Sequence, residues 1–172
     1  ISTINSGIQR QASMRQMSHM TTKGIITKHL IFMLKTILAI SGKPGLYRLV
    51  SRGNKNLIVE TVDAAKKRLP AFGADKVVSL ADISIYTNDD SEVSLASVFE
   101  SIKKNYDGKP VNMSPKKAEQ DDVIAFFAKI LPNYDTDRVR VSDMRKVMSW
   151  YNMLVEYGIT EFEEQKSAEE SK

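Results

Sequence analysis

The sequence predicts an α+β protein: a small SH3-like β-barrel with a covering helix, followed by a C-terminal helical hairpin. Three observations predict it. Short β-branched runs separated by tight turns occupy residues 36–90. Apolar residues at helical spacing occupy residues 92–162. Between the last β run and the final helices, Lys109–Pro115 carries two prolines in seven residues, the composition of a linker. The expected division is a leader over 1–33, a barrel domain over 34–108, a linker over 109–115, a helical domain over 116–162 and an acidic tail over 163–172.

The chain is organised around Ile37–Val62, three β-rich runs divided by two turns. Gly42-Lys43-Pro44-Gly45 is the first turn, with glycine free to take positive φ and proline fixing its own. Arg52-Gly53-Asn54-Lys55-Asn56 has the composition of a hairpin loop. Leu57–Val62 is a dense β-branched strand. Asp63–Pro70 starts with helix-compatible residues, but Pro70 and Gly73 cut it short, so a bent strand or an exposed loop is expected. In Val77–Thr87, Ile83 and Ile85 alternate with Ser84 and Tyr86, the period of a half-buried strand. So little sheet cannot bury a core alone; it needs closure into a barrel or a covering helix.

Leu95, Val98, Phe99, Ile102 and Tyr106 define that helix, with Ser94 as its cap and Asp107-Gly108 as its stop. Pro115 after Ser114 reads as the next helix entry. Glu119, Asp121 and Asp122 favour its positive end, Val123, Ile124, Phe127, Ile130 and Leu131 form its apolar face, and Pro132 ends it. The last helix is expected from Ser142 to about Gly158. Trp150 and Phe162 are expected to close the core between the hairpin and the barrel.

The net charge of +4 is misleading. Residues 1–33 contribute Arg10, Arg15, Lys23 and Lys28 and no acid, leaving 21 basic and 21 acidic residues over 34–172. The leader, with Met14, Met17, Met20 and Met33 and no clear periodicity, is expected to be a disordered tail or an upstream extension ahead of a natural start at Met33. Being basic and acid-free, it also fits a targeting peptide. Lys28, His29 and Lys35 interrupt the apolar stretch around Ile25–Ile40, so neither a secretory signal nor a membrane span is expected. A cytoplasmic protein is expected.

Chemistry is narrowed by what is missing. The chain has no cysteine, and both histidines, His19 and His29, lie in the leader. Residues 34–172 therefore hold no Ser-His-Asp triad, no Cys-His pair and no usual zinc ligand set. Carboxylates and lysines remain, so the reading leans against an enzyme and expects no cofactor. Asn133–Asp137 resembles the start of a calcium loop, but Arg138 and Met144 stand where glycine and a bidentate glutamate are required. Gly42–Gly45 has a lysine before its second glycine and leads into a strand, so it is no phosphate loop. Asp121 and Asp122 are neighbours on a helix and point to different faces.

A non-catalytic protein-interaction module is the function expected first. Its surface would be strand edges, loops and the Met/aromatic last helix, with Met144, Met148, Trp150, Tyr151 and Met153, most of that stripe being core. The alternative is a nucleic-acid surface, with phosphates on Arg52, Lys55, Lys66, Lys67 and Arg68 and bases on Tyr47 and Tyr86. Interspersed acids weaken it: residues 34–107 hold 11 basic and 9 acidic residues.

Leu34–Ser51, Val78–Thr87 and Asp143–Tyr151 together resemble a family of short, uncharacterised proteins from Bacteroidetes-type bacteria. The resemblance covers about 34–162 and leaves the leader outside. It implies a small β part followed by a helical part, and carries no activity, cofactor or catalytic residue with it.

Overall fold

The computed structural model describes residues 34–162 and the backbone of residues 8–10. The expectations for the rest of the leader and for the acidic tail lie outside the described residues. Among the described residues the fold is α+β, antiparallel sheet with three complete helices. Strands β2 (Ile37–Ile40), β3 (Tyr47–Arg52), β4 (Asn56–Thr61), β5 (Arg68–Phe72) and β6 (Val77–Ser79) form one sheet in the order β5-β4-β3-β2-β6. A single 3-10 turn, Leu80–Asp82, leads into β7 (Ile83–Tyr86), which pairs with β8 (Glu92–Ser94) and, on its other edge, with β1 (Ile8–Arg10). Three residues of the leader are thus a strand, in the register Ile8↔Ile85, Gln9↔Ser84 and Arg10↔Ile83. The helices are α1 (Leu95–Tyr106), α2 (Gln120–Ile130) and α3 (Val141–Glu156).

The expected closed barrel is not formed among the described strands. β5 pairs only with β4, and β6 crosses to β2, so both remain edges of an open sheet. Pro70 lies in β5 opposite Ile58 and brings no N–H, which suits an edge strand. The uncertain stretch Asp63–Pro70 therefore splits into a loop and the start of that edge.

β2 explains how a small sheet supports a large core. Ile37-Leu38-Ala39-Ile40 has no polar residue and is buried throughout. Its period of two sends Ile37 and Ala39 into the main core and Leu38 and Ile40 into a second cluster with Tyr47, Leu57, Val59 and Ala71. The main core runs without a break from Leu46 and Val62 through Ile83 and Ile85 to residues of all three helices. α1 packs chiefly on the 3-10 turn, β7 and β8. The Ser94 hydroxyl caps it, accepting from the Ser97 N–H at 3.2 Å, and Asp107 and Gly108 end it with positive φ.

Two helix starts differ from the sequence reading. Pro115 stands in a turn, and α2 begins five residues later at Gln120, after Glu119, whose side chain makes no capping bond. α3 begins at Val141, one residue early, because the Asp143 carboxylate accepts from the Arg140 N–H at 3.0 Å. The segment after α1 is tied to α3. The Tyr151 hydroxyl donates to the Lys109 carbonyl at 3.0 Å, and the Asn152 side chain accepts from the Val111 N–H at 2.8 Å. Arg145 donates to the carbonyls of Pro115 and Ala118 at 2.9 and 2.8 Å. Trp150 is buried, and the Phe162 ring packs 5.2 Å from Phe99 and 5.9 Å from Tyr151. Among the described residues no helix is long and apolar enough to cross a membrane.

Candidate interaction cleft

The β half and α3 leave a cleft between them. Its walls are the Gly42–Gly45 turn, the loop after β4, and the C-terminal half of α3. The turn requires its glycines: Gly42 and Gly45 have φ of +80° and +81°. The loop is organised by Asp63, whose Oδ1 accepts from the Thr61 hydroxyl at 2.8 Å and from the N–H groups of Ala65 and Lys66 at 3.0 and 3.1 Å. Pro44, Leu46, Val62, Met153 and Tyr157 line a volume of about 920 Å³, with Asp63, Lys66 and Glu156 also along its walls. The Lys66 ammonium sits 5.8 Å from the centre of the Tyr157 ring, a cation–π contact bridging the loop and α3. A smaller compartment of about 330 Å³ shares Pro44, Gly45 and Met153 and adds Lys43, Lys146, Ser149 and Trp150. Burial holds the Lys146 amine below its ordinary pKa, an effect the nearby Asp143 carboxylate opposes.

The seven residues singled out from sequence do not form one surface. Tyr47 is buried in the smaller cluster, with its hydroxyl donating to the Pro44 carbonyl at 3.2 Å, so it presents no face to a base. Arg52 and Lys55 lie at the β3–β4 hairpin tip, at one end of β4. Lys66, Lys67 and Arg68 lie at the other end, about 17 Å away along a six-residue strand. Of these, only Lys66 lines the cleft. Tyr86 belongs to the other sheet, and the Arg138 guanidinium stacks 4.7 Å from its ring centre. Of the Met/aromatic stripe, Met144, Met148, Trp150 and Tyr151 are buried, whereas Met153 lines the cleft. Sequence reading passed over Pro44, Tyr157 and Lys146 as cleft residues. They are brought together by packing, and their only local sign is that Lys146, Ser149, Met153 and Glu156 recur at helical spacing on one face of α3. The acids that resembled a calcium loop serve as turn formers: Asp135 accepts from the Asp137 and Arg138 N–H groups at 2.9 and 3.2 Å.

The acid groups of these loops set a pH dependence. Asp63 is held below the ordinary carboxylate pKa, chiefly by the Thr61 hydroxyl, and Asp89 likewise by the Thr87 hydroxyl. Their stabilisation is present above the unfolded value of about 4 and is lost as pH falls through the folded values. Asp82 runs oppositely: burial raises its pKa against the pull of Lys35, so its contribution is present at low pH and is lost as pH rises through the folded value. The melting temperature is expected to fall on acidification below about pH 4, and less so in the Asp63→Asn/Asp89→Asn double variant. Equal slopes in both proteins would contradict this assignment.

The fold and cleft define a class: an α+β protein whose antiparallel sheet and last helix frame an apolar cleft without a histidine or cysteine. Residues 34–80 match one domain of unknown function (DUF5606), and residues 83–154 match a second (DUF6852). A solution NMR structure of a protein from Bacteroides vulgatus is 58% identical to this chain, covers 76% of it and 91% of its own length, and superposes with a TM-score of 0.63. The chain belongs to the family of that Bacteroidetes protein. No curated protein matches it.

Proposed function

We propose that the protein is a non-catalytic interaction module that takes an extended peptide segment of a partner protein in the cleft between the β half and α3. The observation that carries the reading is the composition of that cleft: apolar walls from Pro44, Leu46, Val62, Met153 and Tyr157, bordered by charges of both signs at Asp63, Lys66 and Glu156. Apolar walls suit the side chains of a peptide, and mixed charge suits a polypeptide better than a polyanion. Met153 adds a side chain that repacks readily around different apolar groups. On this reading the five-stranded sheet is an opened SH3-like barrel and α2 with α3 is a helical hairpin bracing it. The reading places the protein in the cytoplasm, in keeping with a chain free of cysteine.

Selection from a displayed random-peptide library tests it. Enriched peptides should shift the amide resonances of Val62, Lys66, Met153 and Tyr157, and Met153→Glu should abolish the shifts while leaving the melting temperature within a few degrees. No enrichment, or peptides that bind the Met153→Glu variant as well as the wild type, would overturn the proposal.

A further inference from the structure

The far end of the five-stranded sheet carries a second arrangement that the cleft does not use. The Arg52–Asn56 hairpin tip and the Phe72–Asp75 turn meet there, because Asn56 pairs with Phe72 in the β4–β5 register. They enclose a groove of about 390 Å³ lined by Arg52, Asn54, Lys55, Phe72 and Asp75, among others. Phe72 is 54% exposed, the large hydrophobic side chain left open among the described residues. Single exposed apolar residues are common and by themselves mean little. Here the ring stands beside two cations that form no ion pair among the described residues. Arg48, Lys103 and Arg138, by contrast, are each matched with a carboxylate.

The site is held in shape. The Gly53 N–H donates to the Asn56 carbonyl at 2.9 Å, and a Cβ at Gly53 would run into the Asn56 side-chain amide. On the other wall, the Phe72 N–H donates to the Asp75 carboxylate at 2.8 Å and the Asp75 N–H returns to the Phe72 carbonyl at 2.9 Å. The one acid in the groove is therefore engaged in its own turn. The backbone of both turns is therefore fixed before binding, and the entropic cost is confined to ordering the exposed side chains.

We infer that this end of the sheet binds single-stranded nucleic acid, with an unstacked base on Phe72 and the flanking phosphates on Arg52 and Lys55. A polyglutamate peptide would use the cations and leave the ring unaddressed, whereas a nucleotide joins an anion to a flat aromatic face in one unit and uses both. A duplex keeps its bases stacked and offers none to a single ring. Two phosphate contacts make a weak and mildly salt-dependent site, consistent with a net charge of zero over residues 34–172.

The test titrates the full-length protein with fluorescein-labelled (dT)10 and follows amide resonances at Gly53, Asn54, Phe72 and Gly73. Shifts at these positions are expected in about 50 mM salt, with log K falling against log salt at a slope of about −1.4, for two phosphates on a single strand. Phe72→Ala should weaken binding about tenfold and leave the slope unchanged. Phe72→Trp should restore it. Arg52→Gln and Lys55→Gln should each lower the slope by about half. Met153→Glu, which empties the peptide cleft, should have no effect, so failure of that site and failure of this one are separable. Absence of shifts at the tip, binding that survives Phe72→Ala with Arg52→Gln, or equal binding of a polyglutamate peptide would each overturn the inference.

Discussion

Phe99→Ala is expected to destabilise the protein by about 3–5 kcal/mol, the cost of a large cavity in a core that cannot collapse around it. Phe99 is fully buried near the middle of α1 and packs against the rings of Phe162 at 5.2 Å and Tyr151 at 6.3 Å. Removing it takes a ring out of the point where α1, α3 and the chain after α3 meet. Because the main core also contains Ile37, Leu46 and Ile83 from the β half, the loss is expected to be felt by the whole molecule. Urea unfolding followed by Trp150 fluorescence and by far-UV circular dichroism checks both points. One coincident transition, shifted to lower urea, is the expected result. Separate transitions for the two signals, or a loss under about 1 kcal/mol, would show that the core does not act as one unit.

Arg145→Ala is expected to cost about 2–3 kcal/mol, a large effect for a surface-reaching side chain. The guanidinium donates to two backbone carbonyls, Pro115 and Ala118, and so satisfies part of a segment that has no regular ladder of its own. Its planar fork reaches both acceptors at once. Arg145→Lys should recover less than half of the loss, because an ammonium cannot span the two carbonyls. Hydrogen exchange provides the local readout: amides of residues 114–118 should exchange faster in Arg145→Ala while those of β4 stay protected. Unchanged exchange at 114–118 would mean that the segment is held by its own turn bonds to the Ser114 carbonyl and not by Arg145.

Much of the helical half could be read from residues in sequence. Leu95, Val98, Phe99 and Ile102 are all buried as their spacing required, and Ser94 caps the helix they form. The segment Asn112–Glu119 was less legible. Ser114-Pro115 has the composition of a helix start, yet the carbonyls of Pro115 and Ala118 are taken by Arg145 from a helix 30 residues away. A distant partner outweighed a local signal. In the β half, Ile83 and Ile85 sit inward as the alternation predicts. Closure of the barrel was not legible, since it depends on where β5 and β6 find partners and not on their composition. The exposure of the candidate rings was the least legible. Tyr47 and Tyr86 carry the right chemistry for stacking, but one is buried and the other is covered by Arg138, whereas Phe72 reads as an ordinary strand residue and is the ring left open.

The sequence by itself determined the β-then-α order, the Ser94 cap of α1 and the absence of histidine and cysteine chemistry from residues 34–172, because each depends on residue type and short-range spacing. Tertiary structure alone decided that the sheet stays open and that its core is continuous with the helices. It also separated Arg52 and Lys55 from Lys66–Arg68 at opposite ends of β4, and brought Met153 and Tyr157 against the Gly42–Gly45 turn. Those outcomes depend on contacts between residues far apart in the chain, which no local pattern records.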